Sequence, residues 1–401
     1  AAENACNVKL VSSLPSERAQ SVMAEGGINA ALNTKDENDS PEEHFTDTIK
    51  AACGLADPNA VWGMTQAAPE LVHWLLKLGV KFNMSGYDDV DLRNFGGQKK
   101  KRTAFAQSDT GKQIMTAMID AVRRKEASGM VERFSHHSFL TLRLCGNICC
   151  GCVIRDEYSQ ETVELPGDAV IVATGGMHGL FGNTTGSLSN TGEVTAELFR
   201  LGVPLANGEM IQYHPTTVKC GGKRMLISEA ARGEGGRLFA MKDGKQWYFM
   251  EEKYPELGNL MPRDITAREI WKVSHESEVF LDMTEISEEI ISNKLSGLAD
   301  DCMTYLHKDI RKEPVSVLPG IHYFMGGILV DEQHRTPIQN LCAAGECCAQ
   351  YHGANRLGGN SLLGALYGGR VAAKSACEQA DVVDLSCATQ IDVPPASQIS
   401  E

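Results

Sequence analysis

The residues best able to do chemistry fall in three short motifs and one glycine-rich loop. His214-Pro215-Thr216, the run Ser228-Glu229-Ala230-Ala231-Arg232-Gly233-Glu234-Gly235-Gly236, and Met261-Pro262-Arg263-Asp264 all lie between residues 208 and 320. The loop belongs to residues 341–370, LCAAGECCAQYHGANRLGGNSLLGALYGGR, and holds His352, Asn355 and Arg356 among Gly353, Gly358 and Gly359. A short apolar strand from Leu341, a glycine loop and a helix from about Ser361 aim several main-chain N–H groups at one point, which suits an anionic or polar cofactor edge. A donor-rich basic side chain beside such a cradle suits a substrate carboxylate next to a redox ring. Taken alone, the loop also reads as an ordinary glycine turn before a helix. Glu229 and Arg232 are spaced i, i+3, which places both on one helix face. In isolation, His214 or His322 reads as a satisfied core histidine, and Arg263 as the salt-bridge partner of Asp264.

The elements that must carry these residues are legible in outline. Residues 168–174 (DAVIVAT) form an apolar strand ending at Gly175-Gly176, as a central parallel strand does where it reaches a cofactor. Residues 183–193 form a polar loop that feeds a helix over 194–201. At the start, residues 1–5 read as a helix end and residues 8–11 as a buried strand before Ser12-Ser13. This is the second half of a βαβ unit. Residues 21–34 place Gly26-Gly27 at the mouth of a helix, where the backbone could approach a ring or phosphate closely. Residues 41–125 are helical in pattern. Leu71, Trp74, Leu75 and Leu78 keep one apolar face, as do Ile114, Met115, Met118, Ile119 and Val122. Between them, residues 86–110 form a polar loop whose basic run, 99–102, reads as a solvated face. A hairpin is predicted over 139–144 and 148–154. Residues 208–320, richer in aromatic and charged residues, read as an inserted second domain. From 377 onward the chain reads as a linker with little structure.

Composition narrows the function. At 401 residues and 42% hydrophobic content the chain can build two or three packed domains. A net charge of −14 argues against nucleic acid or an anionic membrane surface as the main partner. No apolar run reaches the ~18 residues of a membrane span, and no basic-then-apolar leader opens the chain. A cytoplasmic protein is expected. The 13 cysteines lack the spacing of a disulfide scaffold and are expected to be reduced thiols. Cys149 and Cys152 match C-x-x-C, but strand alternation would put Cys150 and Cys152 on one face and Cys149 on the other. Strand cysteines are therefore favoured over a metal site.

HPT, SEAARGEGG, MPRD, HYFMGG and AAGECCAQYHGANRLGGNSLL occur here in one order. That order resembles the flavoprotein subunits of fumarate reductase and succinate dehydrogenase, a superfamily that also contains L-aspartate oxidase. The resemblance spans residues 8–374. It implies an α/β fold in which a split, Rossmann-like FAD-binding domain (1–207 and 321–376) carries an inserted α+β capping domain (208–320). It implies hydride transfer between flavin N5 and a four-carbon dicarboxylate, with the organic chemistry supplied by the flavin. By similarity His322 and Arg356 hold one carboxylate, while His214, Ser228 and main-chain N–H groups hold the other. Arg263 matches the proton donor. Arginine is a poor acid, and serves because a developing carbanion is far more basic. Glu229 and Arg232 match the relay that resupplies it. FAD, bound without a covalent link, would contact Ser12, Ser21, Ala24, Gly26, Gly27, Ala173, Thr174, Gly175, Glu193, Glu346, Arg356, Ser361 and Leu362. The resemblance implies no metal.

The chain departs from this pattern at several points. The G-x-G-x-x-G loop that cradles the pyrophosphate is absent, and poor FAD binding by the chain as written is the resulting expectation. Gln20 stands where membrane-bound relatives carry the histidine that attaches FAD covalently. The family's threonines in HYTMGG and TEA are here Phe324 and Ser228; Phe324 brings no hydroxyl, so an altered dicarboxylate pocket is expected. No haem signature or ferredoxin cysteine spacing appears, so electrons must come from a separate protein or a small donor. Ser12 replaces the acidic residue that many dinucleotide folds place on the ribose. Fumarate reduction is the favoured reading, L-aspartate oxidase the second, and a truncated non-enzymatic paralogue the third.

Overall fold

The computed structural model describes residues 1–2, 6–87 and 89–379. Val8–Ser12 pairs in parallel with Val131–Ser135. Parallel neighbours need a long crossover, and here the helices Pro41–Ala51, Pro58–Leu78 and Thr110–Ala127 lie within it. The middle helix shows why the sequence folds this way. The Asp57 side chain accepts from the Asn59 and Ala60 N–H groups, Pro58 takes the first turn, and Gly79 stops the helix at φ 102°. Its buried face runs through Val61, Met64, Ala68, Leu71, Val72 and Leu75, with Trp74 and Leu78 half-buried at its edge. Ile114 is the buried centre of the predicted stripe on Thr110–Ala127, flanked by half-buried Met115, Met118, Ile119 and Val122.

A second parallel pair joins Val170–Val172 to Leu341–Ala343. Both strands end in glycine-bearing turns, and the glycine loop after Leu341–Ala343 leads into the helix Asn360–Gln379. The predicted hairpin is present as His137–Cys145 and Ile148–Asp156, with Thr162–Pro166 as a third strand. The return strand carries a bulge, with Gly151 at φ 131°. The bulge breaks the expected alternation, so Cys149 and Cys150 are both buried.

A separate core gathers Ile227, Leu238, Ile270, Leu281, Leu298 and Val315, and Phe95 reaches into it from outside. It packs around the four-stranded sheet built from Arg237–Lys242, Lys245–Trp247, Val279–Asp282 and Val315–Ser316. Next to it, Ile211–Cys220 lies between Lys223–Leu226 and Leu318–Phe324. These strands bring His214 and His322 together.

Several expectations need correction. Gly26-Gly27 opens not a helix but the short strand Ile28–Asn29. A Cβ on Gly27 would lie 2.5 Å from the Ala104 carbonyl of the neighbouring strand, so close strand approach is what requires the glycine. The basic run is not uniformly solvated. Arg102 is fully buried against Asp39 (2.8 Å) and Asp47 (2.9 Å). The expectation of reduced thiols throughout fails at Cys145, which is disulfide-bonded. The helix over Asn360–Gln379 runs through the start of the expected linker; residues 3–5 and 380–401 lie outside the described residues. Among the described residues no helix is long and apolar enough to cross a membrane, and no acidic, histidine or cysteine cluster could hold a metal ion.

Candidate active site

One cavity of about 1780 Å³ runs between the parallel strands and the second core. His214, Ser228, Glu229, Arg263, His322 and Arg356 all line it. The expected proton donor and both expected ends of a dicarboxylate clamp therefore face one space. Arg232 does not line the cavity; it sits behind Glu229.

Arg263 opens the helix Arg263–Val273, behind Pro262. Its partner is not the adjacent Asp264, which instead accepts from Asn355 Nδ2 at 3.1 Å. Arg263 Nε and Nη2 donate to Glu229 Oε2 at 2.8 and 2.7 Å, and Nη1 donates to Gln212 Oε1 at 3.1 Å. Three of its five N–H groups are thus fixed and two remain for a ligand. Glu229 begins the short helix Glu229–Gly233, capped by the Ser228 side chain. Its other oxygen accepts the Gly96 N–H at 3.0 Å. A Cβ at Gly96 would lie 2.5 Å from that oxygen, so the contact depends on glycine. Burial works to raise the Glu229 carboxyl, but the guanidiniums of Arg263 and Arg232 and its hydrogen bonds outweigh this and hold it below its usual value.

At the other end, the Arg356 guanidinium lies 4.4 Å over the Tyr323 ring, and its buried Nε has no protein partner. Burial and the charge of Arg263 push its pKa down to about 9. His214 and His322 meet edge to face at 5.0 Å. His322 Nδ1 is 2.7 Å from the Thr185 hydroxyl. His214 Nδ1 is bound by the Thr216 main chain, while its Nε2 is buried and unpartnered. Burial first, then Arg263, holds both imidazoles well below their ordinary pKa, so both are neutral at pH 7. In this cluster the guanidiniums of Arg232 and Arg263 pair with the carboxylate of Glu229, while Arg356 feels Glu346 and Glu229 only at a distance. The excess positive charge and the unpartnered donors suit a small dianion.

The thirteen residues expected around the cofactor also line this cavity. They run from Ser12 at one strand end, past Ser21, Ala24, Gly26 and Gly27, to Ala173, Thr174, Gly175 and Glu193, and on to Glu346, Ser361 and Leu362 beside Arg356. Gly359 bends at φ 84°, Asn360 begins a long helix, and Ser361 and Leu362 of its first turn line the space. The length of the cavity, its strand-end glycines and this helix start fit an FAD. Gln20 is at the wall, its Oε1 accepting from the Ser187 N–H (2.9 Å) and Asn190 Nδ2 (3.2 Å), its Nε2 close to His178 and Glu346.

Phe324 corrects an expectation. It does not line the cavity; it is buried against His178 and Phe181. The hydroxyl it lacks is therefore not lost from the cavity wall itself. His352 and Asn355 also stay out of the lining. Sequence reasoning missed Gln212, Thr185 and Tyr323. Gln212 stands two residues before His214 on one strand face, a spacing that could have flagged it. Thr185 and Tyr323 had no comparable signal.

With the geometry in hand, the comparisons define the class. The family described as FAD binding domain matches residues 1–362. The chain is 43% identical over 395 residues to the succinate dehydrogenase flavoprotein subunit of Bacillus subtilis, covering 96% of this chain and 67% of that one. It is 35% identical over 351 residues to L-aspartate oxidase of a Nostoc species, covering 85% and 58%. In structure it is similar to a mutant FrdA of E. coli quinol fumarate reductase, with a TM-score of 0.88 at 29% identity over 96% of this chain and 68% of that one. The chain belongs to this FAD-binding family of oxidoreductases, of the fumarate reductase and succinate dehydrogenase flavoprotein type. It spans about two thirds of the length of the curated relatives it matches.

Proposed function

We propose that the chain interconverts fumarate and succinate, with fumarate reduction favoured. The observation that carries this reading is the single cavity wall shared by Arg263, His322 and Arg356. FAD, held by the strand ends, Glu346 and the start of Asn360–Gln379, would supply the hydride chemistry. Arg356 and His322 would take one carboxylate. The Thr185 hydroxyl, 2.7 Å from Nδ1, would fix the orientation of the His322 ring for it. His214, Ser228 and nearby N–H groups would take the other. Arg263 would stabilise charge on the alkene carbon next to the one that accepts hydride, then give it a proton. Glu229, ionised at rest beside its arginines, would take up a proton from Arg232 and pass it on to Arg263, and Arg232 would be reprotonated in turn. Net, the alkene gains one hydride and one proton.

In this reading residues 1–207 and 321–376 form a split FAD domain and 208–320 a cap, which the separate core of the latter supports. Gln20 gives no covalent flavin link, which by resemblance lowers the flavin potential and favours reduction of fumarate. Electrons would come from a partner subunit or a small donor, as the names of the subunit relatives suggest. The same non-covalent flavin supports L-aspartate oxidase as a second reading, for which hydrogen peroxide formed from L-aspartate is the signature.

The test is fumarate-dependent oxidation of a reduced viologen dye by FAD-loaded protein, beside Arg263→Ala. The variant is expected to lose about 10³-fold or more in kcat, while unreactive malonate still perturbs the flavin spectrum. No fumarate turnover by the parent protein, or an active Arg263→Ala variant, overturns the reading.

A further inference from the structure

The proton relay has an inner end at Arg263 and an outer end at Arg232, yet Arg232 is itself only 2% exposed. What sets its position is informative. Its Nη2 is 3.4 Å from Glu229 Oε1, an ion pair longer than the Arg263 contacts. Its Nη1 donates to the main-chain carbonyl of Asn259 at 2.6 Å. Nε and Nη2 are buried without a hydrogen-bond partner. Arg232 is therefore oriented chiefly by one carbonyl. The remaining donors are left for whatever carries the incoming proton, such as a water.

That carbonyl is not on a regular helix or strand. Asn259 sits in the single turn Gly258–Leu260, just before the Met261-Pro262-Arg263 segment. Its side chain fixes the turn from both sides. Oδ1 accepts the Leu238 N–H at 3.0 Å, and Nδ2 donates to Glu251 Oε1 at 3.0 Å. Glu251 is in turn gripped by both ends of the Arg237 fork at 2.9 and 2.7 Å. Arg237 lies 3.8 Å over the Tyr248 ring. One amide side chain thus joins the second core to the carbonyl on which Arg232 rests.

We infer that Asn259, anchored by Glu251 and Leu238, is the positioning residue that holds Arg232 in register with Glu229 so that one proton per turnover can re-enter the relay. The inference rests on the fumarate-reductase reading of the site. Asn259 touches neither substrate nor cofactor; it acts through Arg232. Each proton given by Arg263 to carbon is replaced by one taken up at Arg232, so the charge of the Arg232–Glu229–Arg263 cluster is unchanged over a cycle.

The experiment compares the FAD-loaded parent protein with Asn259→Ala in the viologen assay, in H2O and D2O, with and without added imidazole. Asn259→Ala removes both anchors of the turn. The expected result is a kcat about 10-fold lower with KM for fumarate unchanged. The solvent isotope effect should rise, and imidazole should restore part of the rate. The spectral Kd for malonate, read without turnover, should match the parent protein. A purely structural role would lower kcat with no change in isotope effect and no rescue, and that result overturns the inference. So does an unchanged kcat. If Asn259→Ala does not fold, Glu251→Ala removes one anchor only and must show the same isotope signature in weaker form. A parent protein with no fumarate turnover instead defeats the underlying reading, and the inference with it; an active parent with silent variants defeats the inference alone.

Discussion

The site works through charges held in unlike surroundings. Two guanidiniums grip one carboxylate, two imidazoles are kept neutral, and Arg356 is left with an unpartnered Nε. Much of this set was legible in the sequence, because each residue sits in a motif whose neighbours define its context. Arg263 was harder to read. Sequence offered Asp264 as its partner, whereas the helix start turns Asp264 toward Arg268 and Asn355 and turns Arg263 inward to Glu229. Glu25 also lines the cavity, with Oε2 out of solvent and unpartnered. Burial, helped by Asp301 and opposed by Arg93, pushes its carboxyl up to about 8 from 4.5. A folded-state pKa above the unfolded value means the folded protein holds the proton longer. The stabilisation is full below about pH 4.5 and is lost as pH rises through about 8. Glu25→Gln cannot titrate. Its melting temperature should overtake that of the parent protein between pH 5 and 8, by an equivalent that grows to about 4 kcal/mol near pH 8. Parallel melting curves across that range would exclude the effect.

At the level of elements, apolar periodicity located helices and strands well, since a buried face repeats every 3.6 or 2 residues. Long-range polar closure left no such mark. Arg102 looked like part of a solvated basic run until two distant carboxylates met it. Gly26-Gly27 looked like a helix entrance because the strand that crowds Gly27 lies some eighty residues onward. The clearest such closure is at Gly359. It bends at φ 84°, and an added Cβ would lie 2.1 Å from Asn29 Oδ1. Asn29 Nδ2 holds the Gly358 carbonyl at 2.7 Å and Asn360 Oδ1 at 2.8 Å, while His44 Nε2 lies 2.9 Å from the same Asn360 oxygen. Gly359→Ala must strain the backbone and displace Asn29. It should cost about 2–4 kcal/mol in denaturant unfolding and raise the KM for dicarboxylate through misplaced Arg356. A variant as stable as the parent protein would show that the turn is not under this constraint.

Over the whole molecule, the cavity borders the core around Ile227 and Leu281, and Phe95 crosses from the first part of the chain into that core. The split of the first part between chain start and chain end was legible only through motif order, because pairing of Val170–Val172 with Leu341–Ala343 spans a sequence distance that no local pattern records. The prediction that belongs to this scale is a flavin held without a covalent link. Gln20 presents an amide, whose nitrogen lone pair is delocalised and cannot form the bond a histidine forms. Both ends of that amide are occupied by Ser187, Asn190, His178 and Glu346. Acid precipitation of the loaded protein should leave all flavin in the supernatant; yellow colour in the pellet would refute this.

Gly358 has a further consequence. Its Cα faces the Glu229 carboxylate so closely that an added methyl would lie 2.9 Å from Oε2. The residue two places earlier is Arg356. The expected anion anchor Arg356 thus lies two residues from a backbone position that packs against Glu229, the expected proton carrier. Gly358→Ala is therefore expected to press on the Glu229 carboxylate and lower fumarate turnover, which the viologen assay would read.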